Sequence, residues 1–588
     1  MFGARFDDVA AGSSFILTDP VSTLTAKTLS DVPVVLDEVS AAAASGHWVA
    51  GYVAFDAAPS FDQSLVAHRD RTLPLAWFGV FKGRSPVERL GTKADAGGYS
   101  TSRWSPLVER STYDAAFDSV IGHIGAGDVY QVNLTFPMRA AFSGDPSELY
   151  ASMVDAQEAG YASHIWHDDV HVASVSPERF FAIDQGRIVT RPMKGTRQRG
   201  RWSNEDLALR EELATSVKDR AENLMIVDLL RNDLGRIAEF GTVSVDELFA
   251  IERYATVWQM TSEISASLSP EVSLRDVFAA LFPCGSVTGA PKSSAMQVIA
   301  EVEPHPRGIY CGAIGFVPPG DGTDGASFSV AIRTAVINLG EGVVHYGVGG
   351  GITWDSDADG EYDEARAKAM VLTSRPSPTG LIETIRWDGR WYWLDEHIDR
   401  LAESADHFGI DVDSATLRSA LEALAGLLDA PTRVRVVVNS DGSTSVTTDE
   451  APSRFVTRPG PESDVTTIEI DFDPVDARDP SLYHKVLDRS VYDLRSRRHP
   501  SVDDVLLTNG SGNVTETTIG NIVCRFGDRW VTPPVADGLL PGILRGELLG
   551  EGFISEESIS IEEIRTADAI AVVNSVRGWR AASLSAPA

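Results

Sequence analysis

Phe282-Pro283-Cys284-Gly285-Ser286-Val287-Thr288-Gly289-Ala290-Pro291-Lys292 is the stretch from which the first fold can be read. Gly285, Gly289 and Pro291 force an irregular turn, and Ser293–Val302 after it has amphipathic helical spacing. Free backbone N–H groups at the start of such a helix, with the Ser286 and Thr288 hydroxyls, make a carboxylate site; a structural loop built from the same glycines fits equally. Downstream, Gly347-Val348-Gly349-Gly350-Gly351-Ile352 permits close approach of backbone to a ligand. Upstream, Arg191-Pro192-Met193-Lys194-Gly195-Thr196-Arg197-Gln198-Arg199-Gly200 crowds cations around one lysine, and Pro192 and Gly195 disfavour a helix through it. A lysine presented by a turn among cations that depress its pKa suits a nucleophile or an anion ligand, and a solvated basic loop has the same composition.

Two acidic pairs complete the set. Asp219 and Glu222 are three apart, as are Glu361 and Glu364, so each pair projects from one helical face. Carboxylates from two helices meeting in a pocket can hold a hard cation such as Mg²⁺; solvated surface acids have the same spacing.

The 588-residue chain has 84 acidic and 51 basic residues, a formal charge of −33. That balance argues against a general nucleic-acid binder, while leaving anionic small molecules possible where basic patches line a pocket. Cys284, Cys311 and Cys524 show neither metal-ligand spacing nor a disulfide framework. No signal peptide and no apolar run of membrane-spanning length is apparent, so the expected setting is cytoplasmic, with no membrane partner.

Short apolar runs such as Trp48–Phe55 and Leu75–Phe81 read as strands, and residues 91–105 as a Gly/Ser-rich loop. Tyr113–Ile124 reads as a helix and Val129–Leu134 as a strand. Ser203, with Asp206 in capping-box position, predicts one long helix burying Leu207, Leu213, Val217, Leu224 and Ile226. Further strands are predicted at Ile309–Val317, Ser327–Ile337 and Gly342–Val348. Ser374–Gly380 reads as a linker. After it come a hairpin around Asp388-Gly389 and a helix from Glu396 to Phe408, stopped by Gly409. Lys485 is predicted early in a helix that reads Val486, Val491 and Leu494. Between Asp504 and Ile522, and again at Thr532–Arg545, glycine-punctuated turns alternate with strands, and Gly542 opens a helix suited to a phosphate.

From about residue 110 to 372 these motifs resemble the chorismate-using enzymes, the family of anthranilate synthase component I, aminodeoxychorismate synthase component I, isochorismate synthase and salicylate synthase. The resemblance rests on Gly127–Leu134, Ser176-Pro-Glu-Arg179, the Lys194 segment, Ala221–Asp228, Arg231-Asn-Asp-Leu-Gly235, Gly285–Lys292 and Gly349 through Ala369. It implies that Glu222 and Glu364 bind Mg²⁺ directly, with Asp219 and Glu361 acting through water. It also implies that Tyr310, Arg333, Gly349 and Gly350 bind the enolpyruvyl carboxylate. Ser286, Thr288, Gly289 and Ala290 would form the substrate loop, and Glu178 would be the general acid/base. Lysine at position 194 is the pattern of members that aminate C4, where it is thought to add at C2 and expel the C4 hydroxyl. Gln131 stands where the water-using members place lysine, which points to ammonia.

From about 381 to 580 the chain resembles the class IV (fold type IV) pyridoxal-phosphate enzymes, which include branched-chain and D-amino acid aminotransferases and aminodeoxychorismate lyase. The carrying residues are Tyr483–Arg489, Asp504–Ile522, Thr532–Arg545 and Val572–Gly578. Lys485 would be the Schiff-base lysine and Glu516 the partner of the pyridine nitrogen. Arg400, Gly542, Ile543, Leu544, Asn574 and Ser575 would bind the phosphate.

The expectation is therefore an α+β chain in two parts. Residues 1–374 would carry a chorismate-binding fold of two antiparallel sheets packed with helices, 375–380 a linker, and 381–588 a fold-type-IV enzyme of two α/β subdomains. The resemblances imply consecutive steps: chorismate plus ammonia to 4-amino-4-deoxychorismate, then elimination of pyruvate to p-aminobenzoate, a folate precursor. No glutaminase arrangement is visible, so ammonia would come from a glutamine amidotransferase subunit. A homodimer through the second half is expected by analogy. The alternative is anthranilate synthase component I fused to a branched-chain or D-amino acid aminotransferase.

Overall fold

The computed structural model describes residues 2–8, 12–88, 98–157, 160–372, 378–460 and 465–585. The chain divides into two compact units: Met1–Arg199 with Leu209–Pro376, and Gly200–Ala208 with Ser377–Ala588. Residues 374–377 of the expected linker lie outside the described residues.

In the first unit, hydrogen bonds join nineteen strands into one continuous network. Its spine is the strand Gln131–Gly144, in which Val132, Leu134, Phe136, Met138, Ala140 and Phe142 are all buried. That period-two pattern turns one face onto the helices Arg110–Ala126 and Lys292–Val302 and the side chains of Tyr346 and Val348. Strand Val343–Ile352 pairs with it antiparallel, setting Gly349 opposite Thr135, Gly350 opposite Leu134 and Gly351 opposite Asn133.

Several elements depart from the sequence reading. Tyr99–Thr101 and Ser105–Pro106 are short strands edging Gln131–Gly144, inside the stretch expected to be a loop; residues 89–97 are outside the described residues. The single long helix after Ser203 is two, Ser203–Thr215 and Val217–Gly235. Ser216 caps the second by accepting from the Asp219 N–H, and Asp206 accepts from the Gly200 N–H. The break rotates the predicted stripe apart. Leu213 and Ile226 are buried, while Leu207, Val217 and Leu224 are exposed and Asp219 and Asn223 face inward. Ser327–Ile337 is likewise two strands, Ser327–Val330 and Thr334–Asn338, separated where Arg333 adopts φ 51°.

Two buried ionic ties hold the Cys284–Thr288 loop. Arg307 pairs with Glu303 at 2.6 Å and donates to the carbonyls of Val287 and Asn133, while Glu303 accepts from the Thr135 N–H at 2.8 Å. Lys292 pairs with Asp233 at 2.8 Å, tying the loop to the helix that carries Asp219 and Glu222.

The second unit has a three-stranded antiparallel sheet, built on Gly380–Trp387, Thr432–Asn439 and Thr444–Glu450, and an eight-stranded mixed sheet. Helix Leu394–Phe408 buries Ile398, Leu401 and Ala405 and ends at Gly409, φ 71°. The expected hairpin at Asp388-Gly389 is reduced to one bridge between Trp387 and Trp391, because Gly380–Trp387 takes Thr432–Asn439 as its partner. Lys485 precedes its helix, which runs Ser490–Arg498 with Leu494 exposed. It lies in an irregular segment pinned where the Ile382 N–H donates to its carbonyl. Among the described residues no helix is long and apolar enough to cross a membrane.

Candidate active sites

In the first unit a cavity of ≈ 210 Å³ is lined by Lys194, Glu178, Ser286, Tyr310, Arg333 and Gly349, and by all four acids Asp219, Glu222, Glu361 and Glu364. Lys194 reaches it through a β-bulge rather than a turn. Strand Met193–Gln198 pairs with Val257–Ser267, and its register shifts between Met193 and Thr196, where Gly195 has φ 91°. The bulge is fixed from outside. Gln259 donates to the Gly195 carbonyl at 2.7 Å, and Thr196 donates to Gln259 at 2.8 Å.

Two of the neighbouring cations are neutralised by acids of their own. Arg191 pairs with Glu252, and Arg197 with Glu212 and Asp219. The arginines are therefore not what depresses Lys194. Its pKa is lowered by burial and by Lys368, against the pull of Glu222, Glu178 and Glu364. Glu178 is fully enclosed, and burial pushes its carboxyl up to about 7, opposed by Ser286 and Lys194. A carboxylic acid that is half protonated near neutrality beside an amine whose charge is disfavoured makes an acid/nucleophile pair.

The glycine run makes room for this pair. A Cβ on Gly347 would lie 2.2 Å from the Tyr310 ring, and one on Gly351 would lie 2.3 Å from Gln131 Nε2 and 2.9 Å from Lys194 Nζ. At Gly347 only hydrogen leaves room for the Tyr310 ring, and at Gly351 a methyl would push the ends of Gln131 and Lys194 aside.

The four acids differ in their partners. Asp219 is held by Arg197 at 2.9 Å, and Glu364 by Lys368 at 2.9 Å, which lowers its pKa. Among the described residues Glu222 and Glu361 have no ion pair; burial raises both, and Glu361 accepts from Ser356 at 2.6 Å. Among the described residues no three His, Cys, Asp or Glu are placed as a closed metal site.

Four expected residues do not line the cavity. Thr288 turns its hydroxyl back onto the Cys284 and Gly285 carbonyls, and Gly289 and Ala290 form a two-residue strand opposite Val132 and Gln131. The loop's polar groups thus satisfy one another instead of opening at the helix start, where Pro291 is the N-cap. Gly350 is also outside the lining, with its absent Cβ facing Glu361 and Lys368. Lys368 was missed from sequence. It donates to the Gly349 carbonyl at 2.8 Å, its own carbonyl accepts from Arg333 and Tyr346, and its i,i+4 spacing from Glu364 was the available signal. Lys218, which lines the cavity, was also passed over, while Gln131 lies outside the lining, buried, with its amide unpartnered among the described residues.

The second unit holds a separate cavity of ≈ 1020 Å³ lined by Lys485, Glu516, Arg400, Gly542 and Ile543, with Asn574 and Ser575. Burial, Arg400 and Arg489 lower Lys485 to about 8, against Glu383 and Glu516. Glu516 is pushed up to about 7 by burial and accepts from Tyr492 at 2.8 Å and Asn521 at 3.3 Å. Arg400 is bidentate to Glu383, at 2.8 and 2.9 Å, and donates to the Pro541 carbonyl. Burial alone would raise the Glu383 carboxyl, but Arg400 and His397 hold it at about 2. Gly542 caps helix Ile543–Gly550; Leu544 turns its side chain into the core and leaves only backbone toward this end. Asn574 accepts from the Val576 and Arg577 N–H groups, fixing the turn that contains Ser575. Glu383, Tyr492 and Asn521 had no motif to mark them.

Comparison with known proteins places these sites in context. Residues 6–374 match the family model described as chorismate binding enzyme, and residues 380–584 the model described as amino-transferase class IV. Aminodeoxychorismate synthase component 1 of Klebsiella aerogenes is 41% identical over 301 residues, 51% of this chain and 64% of that protein. Anthranilate synthase component 1 of Saccharolobus solfataricus is 36% identical over 286 residues, covering 49% and 67%. The chain spans about three fifths of the length of the first curated relatives it matches: 64%, 63% and 57%. The crystal structure of anthranilate synthase component I from Streptococcus pneumoniae superposes with a TM-score of 0.54 at 24% identity, over 63% of this chain and 92% of that one.

Proposed function

We propose, for a chain that belongs to the chorismate-binding enzymes through residues 6–374, that it makes p-aminobenzoate in two steps, one in each unit. The observation that carries this reading is Lys194, whose amine shares one small cavity with protonatable Glu178 and four carboxylates. The first unit would convert chorismate and ammonia to 4-amino-4-deoxychorismate, the ammonia coming from a separate glutamine amidotransferase subunit. Lys194, whose charge burial disfavours, supplies as the free amine the electron pair that attacks C2. Glu178 donates the proton with which the C4 hydroxyl departs as water, and ammonia then enters at C4 and displaces the lysine.

Mg²⁺ suits the donor set. All four acids offer hard oxygen, and Glu222 and Glu361 are buried carboxylates without a cation, which a dication would satisfy. Glu364 would join them by exchanging Lys368 for the metal. The ion would hold the ring carboxylate of chorismate.

In the second unit, pyridoxal phosphate fits the residues present. An amine lowered to about 8, an enclosed carboxyl and the backbone at a helix start face one cavity. Lys485 would hold its aldehyde carbon, Glu516 its ring nitrogen, and Arg400, Gly542, Ile543 and the Asn574–Ser575 turn its phosphate. Bound there, it supplies an electron sink. Lys485 then moves the proton at C4 of the substrate, pyruvate leaves, and the ring becomes aromatic.

Relatives named anthranilate synthase match as well, so product identity is the test. Purified protein given chorismate, ammonium, Mg²⁺ and pyridoxal phosphate should yield p-aminobenzoate and pyruvate. Anthranilate as the main product would overturn the reading.

A further inference from the structure

The whole chain carries a charge of −33, yet the second unit's cavity has the opposite sign. Among its described lining residues, eight are Arg or Lys and three are Asp or Glu. Lys485, Arg400 and Glu516 account for the end where the cofactor would sit. The excess lies in arginines to which that reading gives no work.

Arg435 lies in strand Thr432–Asn439, whose Val434, Val436 and Val438 are buried, so the alternate residues Arg433 and Arg435 share the opposite, cavity-facing side. Arg433 is already paired with Asp449 at 2.9 Å, whereas Arg435 has no ion pair among the described residues. Arg580 comes from the other sheet, on strand Gly578–Leu584 opposite Val572. Its Nε and Nη2 are buried without a hydrogen-bond partner. The nearby acids do not reach them: Asp503 is bonded to Thr467 and Asp504 to Thr518. Arg577 stands between Ser575 and Arg580 and adds further positive charge. Buried guanidinium nitrogens without acceptors are costly, and a ligand carboxylate matches their fork geometry.

We propose that Arg435 and Arg580, with Arg577, form a carboxylate-binding subsite in this cavity, so that the second unit takes an amine bearing two carboxylates rather than a neutral-side-chain amino acid. The inference rests on the lyase reading of the second unit and deepens it. A hydrocarbon side chain would leave the guanidinium groups desolvated and unpaired, which makes the subsite discriminate against branched-chain substrates.

The test uses the full chain loaded with pyridoxal phosphate. Isophthalate, a ring dicarboxylate, should bind at least about tenfold more tightly than benzoate in calorimetric titration. Arg580→Gln and, independently, Arg435→Gln should each weaken isophthalate about tenfold or more while leaving the visible band of the cofactor in place. Both should also raise KM for 4-amino-4-deoxychorismate, with kcat changed no more than about threefold. Two variants on different sheets keep the test open should one fail to fold. Equal binding of isophthalate and benzoate, or unchanged isophthalate binding in both folded variants, overturns the subsite even if pyruvate is still released. Discrimination that the variants abolish supports the subsite; if it comes without pyruvate release, the lyase reading alone fails.

Discussion

Gly351→Ala gives a steric test of the first site. Gly351 sits in an ordinary antiparallel register opposite Asn133, with no positive φ, so the backbone accepts alanine. The new methyl would lie 2.3 Å from Gln131 Nε2 and 2.9 Å from Lys194 Nζ. Ordinary contact needs roughly 3.4 Å or more, so the amide must retreat by about 1 Å and the amine by about 0.5 Å. Both are ends of long side chains, so overpacking costs only about 1–3 kcal/mol of stability. Catalysis is less forgiving: a misplacement of about 1 Å at the reacting group costs roughly a hundredfold, so the retreat of the amine by about 0.5 Å should cost roughly tenfold. The assay follows chorismate- and ammonium-dependent p-aminobenzoate formation beside pyruvate release from supplied 4-amino-4-deoxychorismate. The first should fall about tenfold and the second should not change. Retention of more than half of the first activity, or equal loss of both, would refute the placement of Lys194 against this strand.

Glu178→Gln should lower the amination about 10²–10⁴-fold. In the unmodified protein the same group sets a pH limb: with a pKa of about 7, protonated acid falls to roughly 3% by pH 8.5, so a flat profile over that range would contradict its role as acid. Lys485 at about 8 is roughly 1% neutral at pH 6 and half neutral at pH 8, so cofactor capture by the apoprotein should accelerate about fiftyfold, followed by absorbance; Lys485→Ala should give no such band. Chelating divalent ions should stop chorismate turnover and spare the second activity, and equal loss of both would argue against a metal confined to the first unit. Arg307→Met leaves the Glu303 carboxylate buried beside Thr135 and should destabilise the first unit by about 3–5 kcal/mol, read from the denaturant midpoint; a loss under about 1 kcal/mol would show that the tie is dispensable.

The strand expected at Val129–Leu134, which the structure extends as Gln131–Gly144, and the glycine run at 347–351 were legible because strand-forming apolar residues and the absence of Cβ are properties of the sequence itself. The i,i+3 acid pairs were legible for the same reason. What escaped depends on partners distant in the chain. The bulge that aims Lys194 exists only against Val257–Ser267, and the helix break at Ser216 follows from the inward demand of Asp219 and Asn223. Asp388-Gly389 has good hairpin chemistry, yet the strand before it finds a longer partner in Thr432–Asn439. Thr288 looked available as a ligand because sequence could not reveal that its own loop carbonyls claim the hydroxyl. The arginines around Lys194 looked like an electrostatic environment, but Arg191 and Arg197 have acids of their own, and Lys368 is the cation that acts on it.

The central claim is that Lys194 directs nitrogen to C4, and that Lys485 completes the product. Chromatographic identification of what Lys194→Ala and the unmodified chain each make from chorismate and ammonium, with Mg²⁺ and pyridoxal phosphate present, tests it directly. The unmodified chain should make p-aminobenzoate and Lys194→Ala little or none, with lyase activity on supplied 4-amino-4-deoxychorismate retained. Anthranilate from the unmodified chain, or undiminished p-aminobenzoate from Lys194→Ala, would contradict it.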